Sequence, residues 1–368
     1  MEIRLSGNSL VSIAKRAVKT SLPESQIIKL KQIPNFFADL ILSLCVRSPL
    51  ASSLYYAFTS SAFRREHHGV LYGKLKYSEE LKIAQDSNYL LRRNIHRLEK
   101  GLIMKPRRDV FATDYIDETV NSYKNALLAN QNKLTTDSEL QWAHDVLKQY
   151  FSIVGSDPSI DQAREKFSVL EPLYSNKPCV PYKRDLSKPL SVNYDQFLEL
   201  SYRRRSVRWY LPKPVPRNLL DRAITAAALS PSACNRQPFE FRIFDESELV
   251  QKVASIPMGT KGFNHNFSAI VVVVGKLRAY FSERDRHVIY IDGALASMSF
   301  MYALETLGLS SCAINWPEME PQESRMASLL NLEPDERVIM LISVGYPDPD
   351  GMVPYSQKKS LNQIRRYN

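Results

Sequence analysis

Apolar positions recur at helical spacing through most of the first 170 residues. Leu75–Ile103 interleaves apolar side chains with charges at intervals of three and four. Ser138–Val154 sets Leu140, Trp142, Val146, Leu147 and Tyr150 on one stripe, as an amphipathic helix does. From Val215 the texture changes. Val215–Leu229 predicts a helix with Pro216 near its first turn. Phe239–Phe244 predicts a strand, Glu246–Ile256 a short helix, Ala269–Gly275 a buried strand, Val288–Leu307 a long helix and Arg337–Val344 another buried strand. Strands alternating with helices point to a layered α/β or α+β architecture. Val288–Leu307 is apolar almost all round, so it needs cover on every side. That predicts a place at the domain centre and at a subunit interface.

Between the two textures lies Glu171–Leu190, punctuated by Pro172, Pro178, Pro181 and Pro189. Prolines at that density favour extended chain. The expected organisation is therefore a mainly helical region over 1–170, a linker over 171–190 and a second domain over 191–368. A length of 368 residues agrees with two domains.

Charge adds one asymmetry. Residues 1–190 hold 28 Lys and Arg against 20 Asp and Glu, and residues 191–368 hold 21 against 19, so most of the net +10 sits in the first half. Such an excess suits nucleic acid, an anionic membrane surface or an acidic polymer, or is simply a solvated face. No platform of interleaved aromatic and basic residues is visible, so nucleic acid is not expected. The four cysteines (Cys45, Cys179, Cys234, Cys312) form no C-x-x-C pair, and no metal site is expected. Met1–Lys31 lacks the unbroken apolar core of a secretory signal, so reduced thiols and a cytoplasmic setting are expected. Phe36–Val46 is too short to span a bilayer, which takes roughly 20 residues. With Leu50–Phe63 it predicts two amphipathic helices. These either pack on the protein's own core or dock peripherally on a membrane.

Four segments carry candidate chemistry. Arg203–Arg208 places four guanidinium groups and the hydroxyl of Ser206 within six residues. That suits a phosphate, because the guanidinium fork makes two charge-assisted hydrogen bonds at once; a basic surface patch is the alternative. Ser230–Pro238 (S-P-S-A-C-N-R-Q-P) is a polar loop stiffened by two prolines, or an ordinary helix-to-strand turn. Ser311–Trp316 ends a strand edge in Asn-Trp, which serves either a ring or the core. Lys358-Lys359 is a basic pair near the C-terminus.

In order and spacing these segments resemble the nitroreductase family: Arg204–Arg208, Pro231–Pro238, Asp292-Gly293 in the long helix, and Lys358-Lys359. The resemblance covers about Phe197–Tyr367. It implies an α+β fold with a central mixed sheet flanked by helices, a homodimer formed through the 288–307 helix, and FMN at the interface. It further implies that Arg204, Arg205 and Ser206 hold the FMN phosphate with Lys358 or Lys359. Arg208 would then sit at the N1/O2 edge of the ring. Ser232, Ala233, Cys234, Asn235 and Gln237 would line the ring, in the partner's site, and Ala313, Ile314 and Asn315 would approach N5. Asn315 and Cys234 are the candidates for catalysis. NAD(P)H is the implied transient donor in a ping-pong oxidoreductase; a non-redox scaffold on the same fold is the alternative.

Three features depart from the family pattern: Cys234-Asn235-Arg236 in the loop, Asn315-Trp316 after the strand, and the long N-terminal half. Trp316 is expected to narrow the pocket. Lys261, Asn264 and His265 are candidates to reach flavin or substrate. Arg284–His287 is either an anion site or a set of exposed ion pairs. In the first half, His96, Glu99 and Lys100 share one helix face, suited to acid–base work or to a salt-bridged seam against the flavin domain. The segment Asn94–Leu102 (N-I-H-R-L-E-K-G-L) resembles a subgroup associated with bacterial surface-polysaccharide enzymes. That resemblance implies a sugar or sugar-lipid substrate.

Overall fold

The computed structural model describes residues 40–80, 88–129, 138–170 and 178–367. The region 1–31, with the first residues of Phe36–Val46 and of Glu171–Leu190, lies outside them. The chain divides into two compact units, 1–65 and 66–368.

In the first unit, residues 40–45 are helical and α1 spans Pro49–Thr59. α1 begins on Ser48, whose side chain accepts from the Ala51 N–H, with Pro49 in the first turn. Both choices suit a helix start.

The second unit holds α2 (Arg64–Glu80, from Glu66 on), α3 (Tyr89–Leu102), α4 (Ile116–Ala129), α5 (Ser138–Ile153) and α6 (Pro158–Ser168). The stripe read at Ser138–Val154 is real: Leu140, Val146, Leu147 and Tyr150 of α5 are fully buried. They meet Ile95 and Leu98 of α3, and Ile116 and Tyr123 of α4, in one core. Trp142 lies only partly buried at its margin. The continuous helical pattern of Leu75–Ile103 is two helices. α3 starts after Asn88, whose φ of 45° is left-handed.

Beyond an irregular stretch at 178–193 come α7 (Tyr194–Arg203), α8 (Arg217–Ala227), β1 (Phe239–Phe244), α9 (Ser247–Ala254) and β2 (Ala269–Lys276). They are followed by α10 (Val288–Thr306), β3 (Ser310–Asn315), α11 (Glu320–Leu330), β4 (Glu336–Gly345) and α12 (Leu361–Ile364). The strands form one sheet in the order β1-β2-β4-β3. Instead of the mixed sheet expected, every strand pair is antiparallel; parallel character enters only at an isolated bridge between Ser206 and Ser311. β2 is buried on both faces, which is why its sequence reads as a run of valines. Val271 and Val273 meet α8 and α10, where Leu220, Phe300 and Leu304 complete a core. Ile270, Val272 and Val274 meet Val250 and Val253 of α9 and Met326 of α11 on the other side.

α10 is the spine of this layer. Ile289, Ala296, Phe300 and Leu304 are buried, whereas Ile291 and Leu295 stand 57% and 44% exposed. The helix that needs cover on every side lacks it on one stripe within a single chain.

Candidate functional site

The Arg203–Arg208 stretch leaves the end of α7 and runs along the edge of β3. The Val207 N–H donates to Ser311 O at 3.0 Å. Tyr210 fixes the stretch to β4. Its hydroxyl lies 2.9 Å from Ser343 Oγ and donates to Val207 O at 2.8 Å, and its ring covers Gly345. A Cβ at position 345 would lie 2.6 Å from that ring, so only glycine fits there. Burial pushes the Tyr210 hydroxyl's pKa far up, and it remains a neutral fastener.

The four arginines divide their work. Arg203 is exposed and makes a loose pair with Glu305 at 3.8 Å. Arg205 donates to the carbonyls of Pro354 and Tyr355. It therefore anchors the C-terminal segment, a use that competes with the phosphate role implied for it. Arg208 lies with its guanidinium 5.6 Å from the centre of the Phe263 ring and donates to Ser206 O at 3.3 Å. Arg204 differs from all three. Its Nε is buried and has no hydrogen-bond partner, and the Ser311 hydroxyl is in the same condition. Burial pushes the Cys312 thiol up, opposed by Arg208, by the Ser206 hydroxyl and by Arg204. Burial likewise raises Glu305, opposed by Ser310, Arg203 and Arg204. Arg204, Ser206, Arg208 and Ser311 thus gather beside Cys312 at the β3 edge. A donor left unsatisfied in a buried place costs about 1–3 kcal/mol. Lys358 and Lys359 are exposed, and neither has an ion-pair partner among the described residues. The Arg205 anchor holds the chain shortly before them beside the arginine stretch.

On β3, Cys312, Ile314 and Trp316 turn into the core while Ala313 and Asn315 stay exposed. Ile314 can therefore offer a ligand only its backbone. Trp316 does not narrow a pocket: it is 6% exposed, and its indole donates to Glu323 Oε1 at 2.7 Å. His265 is exposed and lies edge-on to Trp209; Lys261 is exposed too. Arg284 pairs with Asp285 and Arg286 with Glu66, the exposed ion pairs that were one of the two readings.

The loop after α8 forms a second cluster. Cys234, Asn235 and Gln237 have φ of 53°, 52° and 50°. Left-handed conformation in non-glycine residues costs roughly 1–2 kcal/mol each, and strain of this kind marks functional loops. The surroundings hold it in place. Asp292 Oδ2 accepts from Ala233 N–H at 3.0 Å and from the Tyr280 hydroxyl at 3.1 Å. Buried Arg236 donates to Ala233 O and stacks on Tyr280. Ser232 Oγ accepts from Gln237 N–H, and Gln237 Nε2 donates to Ala228 O at 2.7 Å. Ser232 and Gln237 are therefore occupied inside the loop. The half-buried side chains of Cys234 and Asn235 are the ones left to face a ligand.

From the helical region, Arg92 of α3 donates to Asn235 O at 2.8 Å and to Gln237 Oε1 at 3.1 Å, and pairs with Glu139 at 3.2 Å. The seam expected from His96, Glu99 and Lys100 lies elsewhere. Glu99 joins His96 at 3.1 Å and the Trp142 indole at 2.9 Å, inside the helical bundle. Sequence reasoning missed Arg92, because nothing local distinguishes it from Arg93. It also missed the clamping role of Asp292 and the orphaned hydroxyl of Ser311.

Burial raises the Asp292 carboxyl's pKa, against the Ala233 N–H, the Tyr280 hydroxyl and Arg236. As pH climbs from the ordinary carboxylate range through that raised value, the unfolded chain releases this proton first, and folding loses stability over that window. An Asp292→Asn variant lacks this loss. Its urea stability relative to the parent should therefore rise as pH climbs above the ordinary carboxylate range; a relative stability that falls would refute the assignment.

Residues 202–260 and 261–346 match the sequence model described as the nitroreductase family. The chain is 22% identical over 251 residues to iodotyrosine deiodinase 1 of Pongo abelii, covering 61% of this chain and 84% of that protein. It is 24% identical over 224 residues to iodotyrosine deiodinase of Danio rerio, covering 51% and 73%. Among solved structures, the FMN-dependent nitroreductase of Clostridium difficile R20291 is similar at 21% identity and a TM-score of 0.41, covering 46% of this chain and 99% of that one. Between Tyr202 and Tyr346, then, this chain carries the nitroreductase family's sequence pattern on a nitroreductase-like fold.

Proposed function

We propose that the chain is an FMN-dependent oxidoreductase that works as a homodimer. The observation that carries this is the buried, unpartnered Nε of Arg204, on the stretch that bridges to β3 at Ser311, whose own hydroxyl is also unpartnered. A phosphate supplies the charged acceptor that both lack, so the residues fit the phosphate end of FMN. Ser206 and Lys358 or Lys359 complete the cradle. When bound, FMN supplies two-electron chemistry by taking up and giving back hydride. Arg208 would supply a fixed cation to offset negative charge on the reduced ring. Ala313 and Asn315, exposed on β3, would approach the ring's reactive side.

The two clusters lie at opposite ends of α10. Thirteen residues separate Asp292 from Glu305, about 20 Å along a helix. That separation favours the 232–238 loop serving the flavin held by the partner's arginine cluster. Ile291 and Leu295 supply the apolar stripe for the pairing, which would bring Cys234 and Asn235 over the ring. NAD(P)H is the donor in this reading, stacking briefly on the ring in ping-pong order. A sugar-lipid acceptor rests on the resemblance of Asn94–Leu102 alone.

The test is anaerobic reduction of FMN-loaded protein with NADH and NADPH in turn. Bleaching of the flavin band by either donor, and its return on adding an acceptor, is expected. Protein that takes up no FMN would favour a non-redox scaffold on the same fold.

A further inference from the structure

The helical pair in the first unit is built from large apolar side chains that no described residue of its own unit buries. From Leu40 to Phe63 no residue is buried, and Ile41, Leu44, Leu50, Leu54 and Phe58 are 49–81% exposed. α1 has eleven residues and no buried one. Soluble surfaces rarely carry contiguous apolar patches of this kind without a partner.

Its polar groups are arranged for an apolar surrounding. Ser43 donates to Leu40 O, Ser52 to Cys45 O, Ser53 to Pro49 O and Thr59 to Tyr55 O. Each of these hydroxyls thus answers a helix carbonyl, which lowers the cost of removing it from water. The charge is of one sign. Residues 40–65 contain Arg47, Arg64 and Arg65 and no acidic residue. Residues 1–65 contain nine Lys and Arg against three Asp and Glu, so +6 of the chain's +10 falls in under a fifth of its length. Tyr55, Tyr56 and Phe63 cluster beside Arg64-Arg65, with ring centroids 5.2 and 4.7 Å apart. Aromatic rings next to basic side chains are what a bilayer's headgroup layer favours. Among the described residues no helix is long and apolar enough to cross a membrane. At eleven residues, α1 measures about 16 Å against a hydrocarbon core of about 30 Å.

We infer that residues 40–65 form a monotopic anchor, two short helices lying in the headgroup layer of an anionic bilayer. Apolar burial supplies the attachment, and Arg47, Arg64 and Arg65 supply the preference for negative lipid. The anchor stands independently of the flavin site.

The test is flotation of the full-length protein with phosphatidylcholine vesicles, with and without about a third phosphatidylglycerol. Partitioning should rise at least about tenfold with the anionic lipid and weaken in high salt. A Leu54→Glu, Phe58→Glu double variant should lose at least about tenfold of the binding while keeping its FMN content and melting temperature. Arg47→Gln with Arg64→Gln should lose the preference for anionic lipid but not all binding. Absence of binding to anionic vesicles, or equal binding by the double variant, overturns the inference. So does vesicle-independent self-association that the double variant abolishes, which would make a second copy the occupant.

Discussion

An Arg204→Ala protein should purify folded but colourless. Its affinity for FMN should fall by about 30- to 1,000-fold. That range corresponds to about 2–4 kcal/mol, the loss of one or two charge-assisted hydrogen bonds to a phosphate. Stability should fall less than binding, because Arg204 Nε has no hydrogen-bond partner in the chain and its charge only helps to offset the burial of Glu305 and Cys312. Few substitutions separate binding from folding so cleanly, and the neighbours provide controls. Arg203→Ala removes only an exposed cation 3.8 Å from Glu305 and should keep the flavin, since surface pairs contribute about 0–1 kcal/mol. Arg205→Ala frees the carbonyls of Pro354 and Tyr355 and should loosen the C-terminal segment first. Arg204→Lys keeps the charge without the planar fork and should fall between. Visible absorbance and fluorescence-quenching titration read each outcome. Full flavin content in Arg204→Ala would remove the phosphate assignment.

The largest stability loss is expected at Asp335, far from that cluster. Asp335 is fully buried. Its carboxylate takes three hydrogen bonds from Arg278: Nη2 at 2.6 Å, Nε at 2.7 Å and the backbone N–H at 3.1 Å. Arg278 also reaches Glu333 at 3.1 Å, and Glu333 accepts from Tyr72 of α2. This network joins the exit of β2 to the entry of β4 and fastens α2 onto both. Gly69 belongs to the same joint: a Cβ there would lie 2.8 Å from Pro334 O. Asp335→Ala leaves only Glu333 and, more distantly, Glu336 to a guanidinium whose side chain is only 12% exposed. Breaking one partner of a buried pair costs about 3–5 kcal/mol, or about 6–15 °C in melting temperature at this chain length. Asp335→Asn keeps one oxygen acceptor and should lose less. Thermal unfolding of the flavin-free protein measures both. An unchanged midpoint in Asp335→Ala would mean that the network does not hold the joint.

The elements legible in the sequence are those whose burial is one-sided or total. β2 and β4 read as strands because both faces are covered, and α10 read as exceptional because its apolar side chains run round to a stripe left exposed in the single chain. α7 was not legible: it buries nothing in the single chain and so shows no apolar face committed to a core. The arginine stretch stood out by its charge. Its division of labour did not, because whether Arg204 or Arg205 points inward depends on the parallel bridge to Ser311 and on carbonyls about 150 residues away. Arg92 illustrates the same limit. Its bond to Asn235 spans 143 residues, and no local pattern announces a contact at that range. Trp316 was misread for the opposite reason. A tryptophan after a strand suits a pocket wall, but alternation along β3 turns it inward to Glu323.

In the proposed function, the arginine cluster at the β3 edge recognises a phosphoryl group carried by a flavin. Titrating the flavin-free protein with FMN and with riboflavin isolates that group, since the two ligands share the ring and the ribityl chain. FMN should bind at least about 30-fold more tightly, the equivalent of about 2 kcal/mol from the phosphate contacts, and Arg204→Ala should erase the difference. Equal affinities for the two flavins in the unmodified protein would contradict the account.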